Sequence, residues 1–219
     1  MTTCIVIPTI PGREVLLSRT IDGYRADAPD VRFLIVRDRP TIGEAWTDGA
    51  VRALELGAST IHLAADDIVP HHGAVLAGTL AAEAGTLPSP RILHVGGSLL
   101  QCGSLGHGLL LPECATGTPA GSSQFPVLPA DVMESILPLP PIHYYADDYV
   151  AAAARDRGMD VRVVRDYLFT HLEGSAGRAR LIARSAADRE TYMQAVVRLG
   201  GDAGLVQYDR GDDDDEAEG

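Results

Sequence analysis

The sequence predicts an α/β protein: a three-layer sandwich whose central sheet, mostly of parallel strands, is covered by helices on both faces. Two observations carry that expectation. Short apolar runs without polar alternation recur at residues 3–8, 31–36 and 60–65, as strands buried on both faces require. Between them lie stretches with helical apolar spacing and connections of a few residues, the rhythm of right-handed βαβ crossovers. A third observation locates the chemistry. The third run stops at adjacent carboxylates, Asp66 and Asp67, and leaves through Pro70, so two acids stand at the carboxyl end of a strand, where open α/β sheets form ligand crevices.

Taken in order, the first strand (3–8) ends at Pro8 and gives way to the loop Thr9-Ile-Pro-Gly-Arg13. Leu17, Ile21 and Tyr24 then recur at helical spacing. A helix over 14–26 follows, and its first turn would offer free backbone N–H groups to an anion. The second strand (31–36) is β-branched and aromatic, and closes at Arg37-Asp38-Arg39-Pro40. The next helix sets Trp46, Ala50, Ala53 and Leu54 on one face and stops at Gly57. After the third strand and its acids, a helix over 72–84 should turn Val75, Leu76 and Leu80 inward, with Pro88 and Pro90 closing the connection to a fourth strand at 91–95.

Regularity then stops. Residues 96–123 hold seven glycines, and a loop so long in a compact domain is a substrate-binding loop or a surface insertion; Leu109 to Leu111 read as a short strand within it. An extended stretch at 124–128, a helix at 130–137 and a proline connector lead to Ile142-His-Tyr-Tyr-Ala-Asp-Asp-Tyr-Val150. That segment opens a helix running to Arg157 and capped by Gly158, with Asp147 and Asp148 in its first turn, where the helix dipole favours carboxylates. A strand from Asp160 continues to His171, and a glycine-bearing hinge, 173–177, precedes a helix over 178–199 carrying Arg178, Arg180 and Arg184.

Composition bounds the function. The 219 residues, 46% apolar, suffice for one core, so one domain over 1–200 is expected, followed by an acidic, disordered tail over 201–219. No apolar run approaches the roughly 18 residues of a membrane span, and the amino terminus lacks the charged start and apolar middle of a signal peptide; a soluble, cytoplasmic protein is expected. Cys4, Cys102 and Cys114 show no Cys-x-x-Cys spacing, which fits reduced thiols. With 18 basic residues, all Arg, against 30 acids and a net charge of −12, binding of nucleic acid through bulk electrostatics is disfavoured.

The acids admit two accounts. Two carboxylates about 4 Å apart repel by roughly 4 kcal/mol at an effective dielectric near 20, so a divalent cation, an arginine or full solvation must offset them. In the simpler account Asp67 caps the following helix and Asp66 faces water. A second acid pair and a solitary imidazole, His171, make a constellation harder to dismiss.

Together these landmarks resemble the GT-A fold of nucleotide-sugar glycosyltransferases, most closely the family 2 type, from Cys4 to Gly174. Ile5-Val-Ile-Pro-Thr9 with Arg13 resembles the opening strand and nucleotide-binding loop, and Asp38 the acid that contacts the donor base. Leu63-Ala-Ala-Asp-Asp-Ile68 resembles the Asp-x-Asp segment, with Asp66 in the metal-holding place; Tyr145-Ala-Asp-Asp-Tyr149 and His171 resemble the late acidic motif and distal histidine. The sequence departs from that pattern at Ala64, where the first acid of Asp-x-Asp is missing or replaced in function by Asp67.

The resemblance implies a donor site of Pro8, Thr9, Arg13, Asp38, Ala65 and Asp66; Mn2+ or Mg2+ held by Asp66, His171 and Asp67; and Asp148 or Asp147 as the base of an inverting transfer. His143, Tyr144 and Tyr145 would line the acceptor side. The donor would be a nucleoside-diphosphate sugar and the acceptor a glycan, protein, metabolite or modified DNA base, the last disfavoured by charge. Two other readings suit the same acids: a two-metal phosphohydrolase or nuclease, and a non-catalytic nucleotide-sugar-binding module, to which Ala64 points.

Overall fold

The computed structural model describes residues 2–102, 104–106, 109–110, 115–172 and 178–199, and for 102–110 and 178–184 the backbone alone. The acidic tail, the 173–177 hinge and the side chains of Arg178, Arg180 and Arg184 lie outside that description.

Strand β1 (Thr3–Thr9) is central. It pairs in parallel with β2 (Arg32–Arg37) on one side and β3 (Thr60–Leu63) on the other, and β9 (Val127–Pro129) closes the sheet antiparallel to β3. Helices α1 (Glu14–Asp27) and α2 (Ile42–Glu55) make the two crossovers. Alternation along β1 divides its side chains between two apolar cores. Cys4 and Val6 pack with Trp46, Ala50, Leu63 and Val150, whereas Ile5 and Ile7 pack with Leu17, Tyr24, Ala64 and Phe169. Both faces are therefore covered, which is why the strands read as continuous apolar runs.

A second sheet, not anticipated from the sequence, abuts the first. Its order is β4 (Ile68–Pro70), β10 (Asp160–His171), β5 (Thr86–His94) and β6 (Leu99–Cys102), with β10 and β5 parallel and the outer strands antiparallel. A short hairpin, β7 (Ser104–Gly106) and β8 (Leu109–Leu110), falls where Leu109 to Leu111 suggested a strand.

Three local expectations are corrected. Pro88 and Pro90 belong to β5 and do not connect to it, because β6 pairs with β5 only from Arg91 onward and a strand with one open edge tolerates a missing N–H. The chain leaves Asp67 as strand β4; α3 (Ala74–Glu83) starts later and is capped by Asp27, whose carboxylate accepts from the N–H groups of Gly73 and Val75 at 2.5 and 2.9 Å. Leu76 and Leu80 point outward, 62% and 56% exposed. The helix packs instead through Ala74, Val75, Gly78 and Ala82, since a Cβ at Gly78 would come within 2.7 Å of the Tyr167 ring.

The remaining helices are α4 (Ala130–Ile136), α5 (Ala146–Asp156) and α6 (Arg178–Arg198). No helix among the described residues is long and apolar enough to cross a membrane.

Candidate active site

Four segments deliver one cluster. β1 ends at Thr9, the loop into α1 supplies Arg13, the chain leaving β3 supplies Asp66 and Asp67, and β10 ends at His171. Alternation sets His171 on the face of buried Phe169, one step beyond the core. The Leu172 N–H donates to the Asp67 carbonyl at 2.7 Å, tying the end of β10 to the acids.

Arg13 sits between the two carboxylates. Its Nε donates to Asp66 Oδ1 and Oδ2 at 2.9 and 3.0 Å, and its Nη2 reaches Asp66 Oδ1 at 2.9 Å and Asp67 Oδ2 at 2.7 Å. Thr9 Oγ1 donates to Asp66 Oδ2 at 2.6 Å. His171 Nε2 lies 3.7 Å from Asp67 Oδ2. Asp66 is 6% exposed, and a charge so buried must be paired and hydrogen-bonded. Of the three ways to offset the acid pair, the chain itself supplies the arginine.

The residues expected on the donor side gather around β1. Pro8 and Thr9 lie in register with Val36 and Arg37 of β2, and the exposed Asp38, at φ 58, donates its N–H to the Thr9 carbonyl at 3.3 Å. Thr9 thus joins Asp38 to Asp66. Asp38 also walls a cavity of about 290 Å³ with Arg37, Arg39, Asp48 and Arg52. Ala65 is half-buried against the core, while Ala64 is wholly inside it. The gap in the Asp-x-Asp pattern therefore falls at a position whose side chain faces apolar packing.

The donor set suits a hard cation: two carboxylates and an imidazole, with a guanidinium already standing where such a cation would. Among the described residues no group of three or more His, Cys, Asp or Glu side chains is arranged to hold a metal by itself. Water or the oxygens of a bound ligand would complete the shell of such a cation.

A second cluster forms where α6 packs on the start of α5. Asp188 Oδ2 accepts from the N–H groups of His143 and Tyr144 at 2.9 and 2.8 Å. Tyr145, at φ 66, bonds Ser185 Oγ through its hydroxyl at 2.9 Å and stacks on Tyr192 with centroids 5.5 Å apart. Ser185, Asp188 and Tyr192 follow one another at spacings of three and four, one face of a helix. That spacing was readable in the sequence and is the signal by which the three residues could have been found.

Asp147 and Asp148 open α5 in this cluster, Asp148 buried and Asp147 half-buried. Burial, and then the charge of Asp148, raise the Asp147 carboxyl well above the ordinary range. Asp148 and Arg155 are seven residues apart and share a helix face. Arg155 in turn donates to the carbonyls of Ala120 and Gly121 at 2.6 and 2.7 Å.

Helix α2 spans the two clusters. The Gly43 N–H in its first turn donates to the Ile142 carbonyl at 2.9 Å, and Trp46 Nε1 donates to the Ala64 carbonyl at 3.1 Å. A Cβ at Gly43 would lie 1.9 Å from the Pro140 carbonyl oxygen, so only glycine permits this approach.

No protein-family model and no curated protein matches the sequence. Solved structures do. Residues covering 91% of the chain superpose on 65% of S. aureus TarS 1-349, with a TM-score of 0.63 at 8% identity. Similar are A197 from STIV, at TM-score 0.57 and 15% identity over 76% of this chain and 83% of that one, and the mannosyltransferase PcManGT from Pyrobaculum calidifontis in complex with GDP-Man and Mn2+. The last matches at TM-score 0.57 and 12% identity over 90% of this chain and 64% of that one. TarS 1-349 also matches in complex with UDP-GlcNAc. At these identities the likeness speaks for architecture, and the architecture is the GT-A fold of nucleotide-sugar glycosyltransferases.

Proposed function

We propose that the protein transfers a sugar from a nucleoside-diphosphate sugar to an acceptor hydroxyl, with Mn2+ or Mg2+ and with inversion at the anomeric carbon. The observation that carries this reading is the convergence of Thr9, Arg13, Asp66, Asp67 and His171 at the carboxyl edge of β1 and β3. Solved structures of the same fold holding GDP-Man with Mn2+ and UDP-GlcNAc lend it support.

On this reading Asp38 meets the donor base, while Pro8, Thr9 and Ala65 shape the backbone around the ribose and diphosphate. Asp66, His171 and Asp67 hold the cation, which when bound supplies positive charge against the departing diphosphate. Arg13 contributes a planar fork that matches phosphate as well as carboxylate.

An acceptor hydroxyl is a poor nucleophile near neutral pH, so a positioned carboxylate must take its proton. With the Asp147 carboxyl raised by desolvation and by the charge of its neighbour, the pair holds one proton between them, which leaves one member ionised. Arg155, on the same face of α5, favours the charge on Asp148, making Asp148 the base and Asp147 its protonated neighbour. His143, Tyr144 and Tyr145 face the acceptor, where aromatic rings stack on a sugar or a base; the net charge of −12 disfavours DNA.

A screen of nucleotide sugars with Mn2+, read by mass spectrometry for hydrolysis or transfer, tests the reading. Asp66→Asn, checked for fold by circular dichroism, should abolish the product. Full turnover by that variant would end the proposal.

A further inference from the structure

The Asp66–Asp67 seat has room for one cation. Asp66 Oδ1 receives both Nε and Nη2 of Arg13, Oδ2 receives Nε and the Thr9 hydroxyl, and Asp67 Oδ2 receives Nη2, all within 3.0 Å. A divalent ion bonded to an Asp66 oxygen stands about 2.0–2.6 Å from it, inside the space these guanidinium nitrogens fill. Arg13 and a cation seated on Asp66 between the two carboxylates therefore exclude each other geometrically.

Charge leads to the same result. Two carboxylates and one guanidinium leave the cluster at −1; a dication added beside an unmoved Arg13 would bring two like charges together where Asp66 is shielded from water. Arg13 is the movable party. Its side chain is 25% exposed against 8% for that of Asp66. The Thr9 bond keeps Asp66 in place when the guanidinium leaves.

We propose that Arg13 and the divalent cation are alternative occupants of this seat: the guanidinium closes the Asp66–Asp67 pair in the donor-free protein, and metal enters only as Arg13 moves off it. The inference rests on the diphosphate-sugar reading of the site in one respect, that a diphosphate is the natural second partner for the displaced fork. The protein then binds metal weakly alone and strongly with nucleotide, and by linkage nucleotide binds more tightly with metal.

Calorimetric titration of Mn2+ into the full chain, without any nucleotide, tests this directly. Arg13→Gln should bind Mn2+ about 5–150-fold more tightly than wild type, the usual span of a coupling between sites, and Mn2+ should raise its melting temperature while leaving the wild type's unchanged. Arg13→Lys, which keeps a cation but loses the fork, should fall between and carries the test if the Gln variant is unstable; adding Asp66→Asn to Arg13→Gln should erase the gain. Equal Mn2+ affinity in wild type and both Arg13 variants, or no Mn2+ binding by any of them, overturns the proposal. Repeating the wild-type titration with UDP and with GDP separates the two ideas. A gain in the variants without a nucleotide effect upholds the exclusion and counts against the donor reading alone.

Discussion

Asp188, on α6, accepts a hydrogen bond from the backbone N–H of Tyr144 at 2.8 Å and holds the turn that leads into the Asp147–Asp148 pair. The same oxygen takes the His143 N–H, and Tyr145 beyond it has a left-handed backbone that few side chains adopt unaided. A carboxylate 44 residues away in sequence thus shapes the proposed acceptor side.

Asp188→Ala should loosen that turn. Each half-buried donor left unpaired costs about 1–3 kcal/mol, so amide exchange at His143 and Tyr144 should quicken by roughly 5–150-fold. Asp188→Asn, which keeps an accepting oxygen, should show a much smaller change. Hydrogen–deuterium exchange resolved to residues 142–146 is the measurement; unchanged protection in the Ala variant would mean the turn holds itself.

Thr9→Val tests the other cluster with little change of shape. It removes the 2.6 Å bond to Asp66 and leaves a buried carboxylate on Arg13 alone. Hydrogen bonds to charged groups are worth about 1.5–3 kcal/mol, and urea unfolding should show a loss in that range. Because Thr9 holds Asp66 still, donor turnover should fall as well.

Much of this arrangement was legible in the sequence, and what was not has physical causes. The acids Asp66 and Asp67 were placed at a strand tip because a short apolar run must stop at the edge of a sheet. Arg13 was placed in the loop after β1, but its pairing with both acids depends on where two distant loops meet, which no periodicity encodes. Leu76 and Leu80 misled because helical spacing cannot say which of two apolar faces is buried; Gly78 decided it by admitting the Tyr167 ring. The second sheet was hidden for a similar reason, since Pro88 and Pro90 read as a break unless the open edge of β5 is known.

Ala64→Asp would complete the Asp-x-Asp pattern on paper, and the structure argues that it should fail. The Ala64 side chain is fully buried among Ile5, Ile7, Leu17 and Phe125. An unpaired charge there costs about 3–5 kcal/mol. Denaturant unfolding, followed by the fluorescence of the single tryptophan, Trp46, which bonds the residue's own carbonyl, should show the loss. Improved Mn2+ binding at wild-type stability would instead place that side chain in the site.

The acid pair on α5 makes a signed prediction about pH. The folded Asp147 carboxyl is raised by burial and by Asp148, while in the unfolded chain it ionises near its ordinary value of about 3.9. Above that pH the unfolded state has released a proton that the folded state retains, so stability falls as pH rises from about 4 towards the raised value. Asp147→Asn removes the titration. Its stability relative to wild type should therefore grow between pH 5 and pH 8, read as the difference in urea midpoints at the two values. Asp148→Asn should reduce the wild-type slope only in part, because burial, the larger cause, persists when the neighbouring charge is gone. The two variants should also part in turnover: if Asp148 is the base, its Asn variant loses activity at every pH, whereas Asp147→Asn keeps activity and shifts its pH profile. A slope that Asp147→Asn leaves intact would show that the pair shares no proton, and the assignment of Asp148 as the ionised member would fall with it.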